Sequence, residues 1–153
     1  MDSLMPKAHV IYATITGNNE DVADIVTEGL EDLGVDVEET EISQTDADEL
    51  KDTDIIVICP YTYDEGALPE EGMDFFEDLD SLNLEGKIFG VAGSGDVFYQ
   101  EYYNVAVDEF TKALKATNAT QGAKSVKINL EPDENDIKDL DEFSRQLVEA
   151  SHK

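Results

Sequence analysis

Cysteine is nearly absent from this 153-residue chain: Cys59 stands alone. A single thiol excludes an internal disulfide and a multi-cysteine metal site. It lies in the apolar run Ile55-Ile56-Val57-Ile58-Cys59, which marks it as an inert buried thiol. Basic residues are also scarce, with 10 Lys and Arg against 37 Asp and Glu, for a formal net charge of −27. Such a chain is repelled by nucleic acid and by anionic membrane surfaces. It favours a basic protein partner or a high-salt habitat, although charge of this sign also serves plain solubility. No apolar run approaches the ~18 residues of a membrane span, and no signal-peptide pattern is present. A cytoplasmic location is the expectation. No repeat, linker or low-complexity block divides the chain, whose length suits one domain with one core. Residues 1–6 read as a tail and 7–153 as the domain.

What is present is an alternation of strand and helix patterns. Lys7–Ala13 is an apolar strand, and Asn19–Leu33 carries Val22, Ile25, Val26 and Leu30 at helical spacing, closed by Gly34 as C-cap. Val35–Ile42 alternates among acids as an exposed strand, and a short helix capped by Thr45 or Asp46 follows. Asp54–Cys59 is a β-branched run of the kind covered on both faces. Beyond it come a helix over Met73–Leu82 anchored by Phe75, Phe76 and Leu79, and a strand over Lys87–Ala92. A helix over Tyr103–Ala116 and a last, unbroken strand over Ser125–Leu130 follow. Glu134–Ser151 closes the chain as a helix with Ile137, Leu140, Phe143 and Leu147 on its apolar face. The alternation predicts a doubly wound five-stranded parallel α/β sheet with helices on both faces.

In such sheets ligands bind outside the carboxyl ends of the strands. Three loops therefore matter: Thr14–Asn19, Pro60–Pro69 and Gly93–Gln100. The first joins a strand to a helix N-terminus, where free N–H groups and the helix dipole suit an anion. Thr14, Thr16, Asn18 and Asn19 add neutral donors; the plain alternative is a hydrophilic turn with an Asn N-cap. The other loops carry Tyr61 and Tyr63, and Phe98 and Tyr99. Two rings can sandwich a planar heteroaromatic ligand, each face adding roughly 0.5–1.5 kcal/mol beyond buried area. The plain alternative is that these rings cap the sheet core. No Lys or Arg lies in any of the three loops. A phosphate held there would rest on backbone N–H groups, hydroxyls and the helix dipole alone. The Gly-Lys-Ser/Thr signature of nucleotide triphosphatases is missing as well.

These loops carry a family resemblance. Thr14-Ile15-Thr16-Gly17-Asn18 resembles the phosphate loop of flavodoxins, whose pattern runs hydroxyl-any-Thr-Gly-Asn-Thr; Asn19 replaces the final Thr. Tyr61-Thr62-Tyr63-Asp64-Glu65-Gly66-Ala67-Leu68-Pro69 is similar to the family's Thr-Tyr-Gly-Asp-Gly-Glu-Leu-Pro loop. Gly93-Ser94-Gly95-Asp96 with Phe98-Tyr99 resembles its second flavin loop, with Tyr102 close behind. The absence of a long insertion in the last strand resembles the short-chain type. The resemblance implies a low-potential one-electron carrier with non-covalently bound flavin mononucleotide (FMN), without substrate turnover, catalytic residue or metal of its own. It implies that Tyr63 and Tyr99 flank the flavin ring and that Asp96 accepts from its N3 edge. Phosphate contacts would come from Thr14, Ile15, Thr16, Gly17, Asn18 and Asn19. The remaining cofactor contacts would come from Tyr61, Thr62, Asp64, Glu65, Gly66, Ser94, Gly95, Phe98 and Tyr102. The partners implied are a flavodoxin or ferredoxin reductase and acceptor oxidoreductases, met by a monomer that binds neither nucleic acid nor membrane.

Other readings share the fold. An activator of manganese ribonucleotide reductase would use the same cofactor to make an oxidant. A receiver domain would need an acidic pair after the first strand, an Asp after the third and a Lys after the last. Those places hold Thr14-Ile15-Thr16, Cys59-Pro60 and Asn129-Leu130-Glu131. A scaffold that never binds flavin would purify colourless. Asp64, Glu65, Asp96 and Glu101 are placed to disfavour an anionic reduced ring. Each carboxylate about 10 Å away opposes it by roughly 0.4–0.8 kcal/mol at an effective dielectric of about 40–80.

Overall fold

A computed structural model describes residues 6–13, 18–59, 77–79, 81–95, 105–129 and 133–151. Six parallel strands form one sheet: β1 (Lys7–Tyr12), β2 (Asp36–Glu41), β3 (Ile55–Cys59), β4 (Ile88–Gly95), β5 (Thr120–Gln121) and β6 (Val126–Asn129). The order is β2-β1-β3-β4-β5, with β6 also paired to β4. Three long helices are described: α1 (Asn18–Asp32), α2 (Val105–Ala116) and α3 (Glu134–Ser151). This is the doubly wound parallel architecture that the alternating pattern predicts.

Period-two alternation sorts the strand residues between two cores. His9, Ile11 and Ala13 of the first strand segment point to one face, with Ile56, Ile58, Phe89 and Val91 in its core. That face is closed by α2 through Val107, Phe110 and Leu114, and by Ala47 and Leu50 of a short 3-10 helix, Ala47–Asp52. Ala8, Val10, Ile55, Val57 and Cys59 face the other way, against Val22, Val26 and Leu30 of α1 and Leu140, Phe143 and Leu147 of α3. β3 is buried at every position, as expected of a central strand flanked on both faces. Each fully buried Leu, Ile or Phe in these layers contributes about 1.5–3 kcal/mol.

Local signals fix the ends of the elements. After α1, Gly34 adopts φ +89°, Val35 N donates to Leu30 O and Gly34 N donates to Glu31 O. That is a Schellman closure, and it turns the chain directly into β2. Asp46 caps the 3-10 helix in a capping box with Glu49. On β4, a Cβ at Gly90 would stand 2.6 Å from Phe143 Cζ, so α3 approaches the sheet closely only because residue 90 has no side chain.

Four expectations need correction. The last strand, β6, stands where expected and is continuous, but a short strand the pattern did not show, β5, precedes it on the same outer edge of β4, with Gly122–Ser125 between them. Thr120 pairs with Ile88 but Val126 pairs with Ala92, so two extra residues bulge out between the pieces. Gly122 sits in that interruption, where a Cβ would be 2.4 Å from Ile88 Cγ2. Second, β4 runs on through Gly93, Ser94 and Gly95, because β6 supplies a partner for residues that look like loop in isolation. Third, the helix expected over Met73–Leu82 stops short of Ser81: residues 77–79 are helical, and Leu82 lies past a turn with its side chain buried. Its anchors Phe75 and Phe76 fall outside the described residues. Fourth, Ile137 of α3 is 40% exposed rather than part of the apolar face, whereas Leu140, Phe143 and Leu147 are buried.

Candidate functional site at the carboxyl ends of the strands

The three loops of interest start from neighbouring strands. β1, β3 and β4 lie side by side in register, with Tyr12 opposite Cys59 and Ile58 opposite Val91. One residue further, Ala13 N donates to Cys59 O at 3.0 Å, which carries the ladder to the last described residue before the first loop. The strand tips are small: Ala13, Cys59, then Gly93, Ser94 and Gly95. No large side chain at those positions stands where a flat ligand would lie across the strand ends.

The expected site residues divide into two groups. Asn18 and Asn19 open α1, one residue earlier than the pattern predicts, so their backbone amides stand among the N–H groups that a helix leaves without internal acceptors. Glu20 and Asp21 follow in the first turn and share the positive end of the dipole. Ser94 and Gly95 form the end of β4, opposite Ile128 and Asn129. Thr14, Ile15, Thr16, Gly17, Tyr61, Thr62, Tyr63, Asp64, Glu65, Gly66, Asp96, Phe98, Tyr99 and Tyr102 lie outside the described residues. Cys59 is the buried thiol the sequence indicates, and burial pushes it well above the ordinary thiol range.

Beside the α1 entry, acidic groups crowd together. Glu39 of β2 accepts a hydrogen bond from Thr27 Oγ1 at 2.7 Å. Its carboxyl is pushed up to about 7, first by burial and then by a hydrogen bond with Asp24, with Glu20 adding to the charge. Tyr12 is raised by burial, then by Glu20, Glu39, Glu41 and Asp24. Glu39 thus holds its proton up to near neutral pH. Residue type alone could not reveal this shift, because it depends on how α1 packs over β2.

The geometry defines a class: a doubly wound α/β protein with small strand tips and a helix N-terminus at the sheet end where such folds take their ligands. The flavodoxin family model matches residues 10–143. "Probable flavodoxin 2" of Bacillus subtilis (strain 168) is 34% identical over 148 residues, spanning 96% of this chain and 97% of the relative. A short-chain flavodoxin associated with a non-canonical PDU bacterial microcompartment superposes with a TM-score of 0.95 at 57% identity, over 96% of this chain and 99% of that one. A Streptococcus pneumonia TIGR4 flavodoxin gives 0.91 at 45% identity, over 94% and 99%. The chain belongs to the flavodoxin family, as an FMN-binding electron-transfer protein rather than an enzyme. The receiver-domain and reductase-activator readings gain no support from these relatives. Among the described residues no helix is long and apolar enough to cross a membrane.

Proposed function

We propose that this flavodoxin holds FMN in the three loops at the carboxyl ends of β1, β3 and β4. The phosphate rests on residues 14–19, between Tyr63 and Tyr99 lies the ring, and Asp96 accepts at its pyrimidine edge. The observation that carries this reading is the adjacency of β1, β3 and β4, whose neighbouring tips lie about one strand spacing apart, roughly 4.8 Å. Three loops rooted so closely converge on one ligand. The flavin, when bound, supplies the one-electron chemistry. The chain's own residues bind it, keep water from the ring faces and set the charge around it.

The phosphate is held without a cation, by amides, hydroxyls and the α1 dipole. A second nucleotide has no recognisable site. Apoprotein titrated with FMN and with flavin adenine dinucleotide should therefore bind FMN far more tightly; equal affinities would sink the loop assignment. The carboxylates Asp64, Glu65, Asp96 and Glu101 oppose negative charge on the ring and push its reduction to low potential.

The redox partner is a basic protein surface, such as a flavodoxin or ferredoxin reductase, meeting a cytoplasmic monomer. The acids Asp64, Glu65, Glu70, Glu71 and Asp74 support this reading, since they crowd one short stretch of sequence in a chain with net charge −27. Stopped-flow reduction by such a reductase should slow as salt rises. A rate flat from low to physiological ionic strength would leave the charge with solubility alone. The similar short-chain protein associated with a microcompartment makes an oxidoreductase of such a compartment one candidate acceptor.

A further inference from the structure

Away from the flavin end, β1 and β2 build a second polar site. His9 and Glu38 are register partners on adjacent strands, on the sheet face covered by the 3-10 helix Ala47–Asp52. Glu49 comes from that helix. A ring nitrogen of His9 and one carboxylate oxygen each of Glu38 and Glu49 lie within 4.8 Å of one another. They line a cavity of about 310 Å³ together with Lys7, Asp36, Asp52 and Thr53.

Counting protons shows which nitrogen is available. Thr45 Oγ1 donates its one proton to Glu41 O at 2.7 Å. Thr40 Oγ1, 2.6 Å from Thr45 Oγ1, must then donate to it. Thr40 has no proton left for His9, whose Nε2 lies 2.8 Å from Thr40 Oγ1, so Nε2–H is the donor. This chain fixes the tautomer and leaves the Nδ1 lone pair bare. His9 is only 2% exposed, and among the described residues Nδ1 has no partner. The ring's neighbours in the cluster are two carboxylates, which also offer only lone pairs. Three acceptors converge, and among the described residues the one N–H that joins them is that of Asp46, on one oxygen of Glu49. Lys7 lines the cavity, yet the ion pairs of the described residues are Lys51–Asp48, Lys127–Asp108, Arg145–Glu142 and Arg145–Glu149.

We propose that His9, Glu38 and Glu49 bind a divalent transition metal of the zinc type, clipping β1, β2 and the 3-10 helix together. One imidazole nitrogen and two carboxylates are a ligand set such ions accept, with water completing the shell. A histidine whose other N–H is held by a hydrogen bond is the usual arrangement around such a metal. Both glutamates are exposed enough to swing the short distance that bonds of about 2.0–2.2 Å require. The capping bond from Asp46 N at 2.8 Å engages one oxygen of Glu49 and leaves the other for the metal. The surrounding negative charge raises the local concentration of cations.

The test is calorimetric titration of the flavin-loaded full chain with Zn²⁺, read beside ¹⁵N imidazole NMR. One saturable equivalent should bind, with the His9 Nδ1 resonance shifting and that of the other histidine, His152, unmoved. Glu38→Gln, at an exposed position, should weaken that site at least about tenfold. The exposed Glu109→Gln on α2 removes the same charge elsewhere and should change affinity less than about twofold. Heat without a saturable single site, an unmoved His9 resonance, or equal losses in the two variants would overturn the proposal. In each case a proton or diffuse counter-ions serve the cluster instead.

Discussion

The flavodoxin carries two polar regions built on opposite plans. At the carboxyl ends of β1, β3 and β4, the loops proposed to hold the flavin offer an anion backbone amides, hydroxyls and a helix dipole, and their sequence holds no basic side chain. At the β1–β2 edge, His9, Glu38 and Glu49 gather side-chain lone pairs suited to a cation. Strand tips expose backbone N–H groups, so an anion can be bound there by almost any small polar sequence. Mid-strand backbone is consumed by the ladder, so a site there must be made from side chains, and its identity rests on each one of them.

The sharpest way to break this contrast is to put a charge into the uncharged stretch Thr14–Asn19. Thr16→Asp sets a carboxylate against the phosphate; at about 4 Å and an effective dielectric of about 20 that costs about 4 kcal/mol. FMN affinity, followed by fluorescence of released flavin, should fall 100-fold or more, while Zn²⁺ binding at the β1–β2 edge stays as it was. A loss of less than tenfold would place the phosphate elsewhere.

Next in size is the frame that both regions share. Gly90→Ala drives a Cβ to within 2.6 Å of Phe143 and should cost about 1–3 kcal/mol of stability, read as a lower midpoint in urea. An unchanged midpoint would mean that α3 can retreat freely.

Asp64→Gly examines the flavin end alone. Flavodoxins usually have Gly at this place, and the resemblance implies that the peptide after Tyr63 reorients when the ring takes one electron. A side chain in the left-handed region costs about 1–2 kcal/mol, and glycine removes that cost. The two one-electron midpoint potentials should move apart in the variant in spectroelectrochemistry. Potentials that do not separate would leave Asp64 as a surface residue.

The smallest effect lies between the regions, at Glu39. Its folded value of about 7 stands above the ordinary carboxyl value of 4.5. The folded chain therefore holds this proton more tightly than the unfolded chain. That contribution is full below about pH 4.5 and is lost as pH rises through 7. Glu39→Gln, always uncharged, should raise stability at pH 8 by about 1 kcal/mol after solvent screening, or about 2–4 °C in Tm, and leave it unaltered near pH 4. A thermal shift equal at both pH values would rule out the raised Glu39 value.

The sequence was most legible where a signal is local. Hydrophobic periodicity placed β1, β3, α1 and α3 within a residue or two, and Gly34 closed α1 as its position suggested. Asp46 capped its helix for the same local reason. The loops proposed to hold the flavin read as motifs, because each is a short contiguous string following a strand. Errors arose where a residue's state depends on a distant neighbour. Gly93–Gly95 become strand only because β6 pairs with them, and Ile137 is exposed although its neighbours on α3 are buried.

The amino-acid order alone thus determined the doubly wound class, the family, and the absence of any basic residue from the three loops. It could not show that His9 gathers with Glu38 and Glu49, or that burial beside Asp24 raises Glu39. Those encounters are set by the β1–β2 register, by the 3-10 helix folding over one sheet face and by α1 packing over the other. Pairing register and layer packing are non-local. They are fixed by burying two cores at once, and only the folded chain brings such residues within reach of one another.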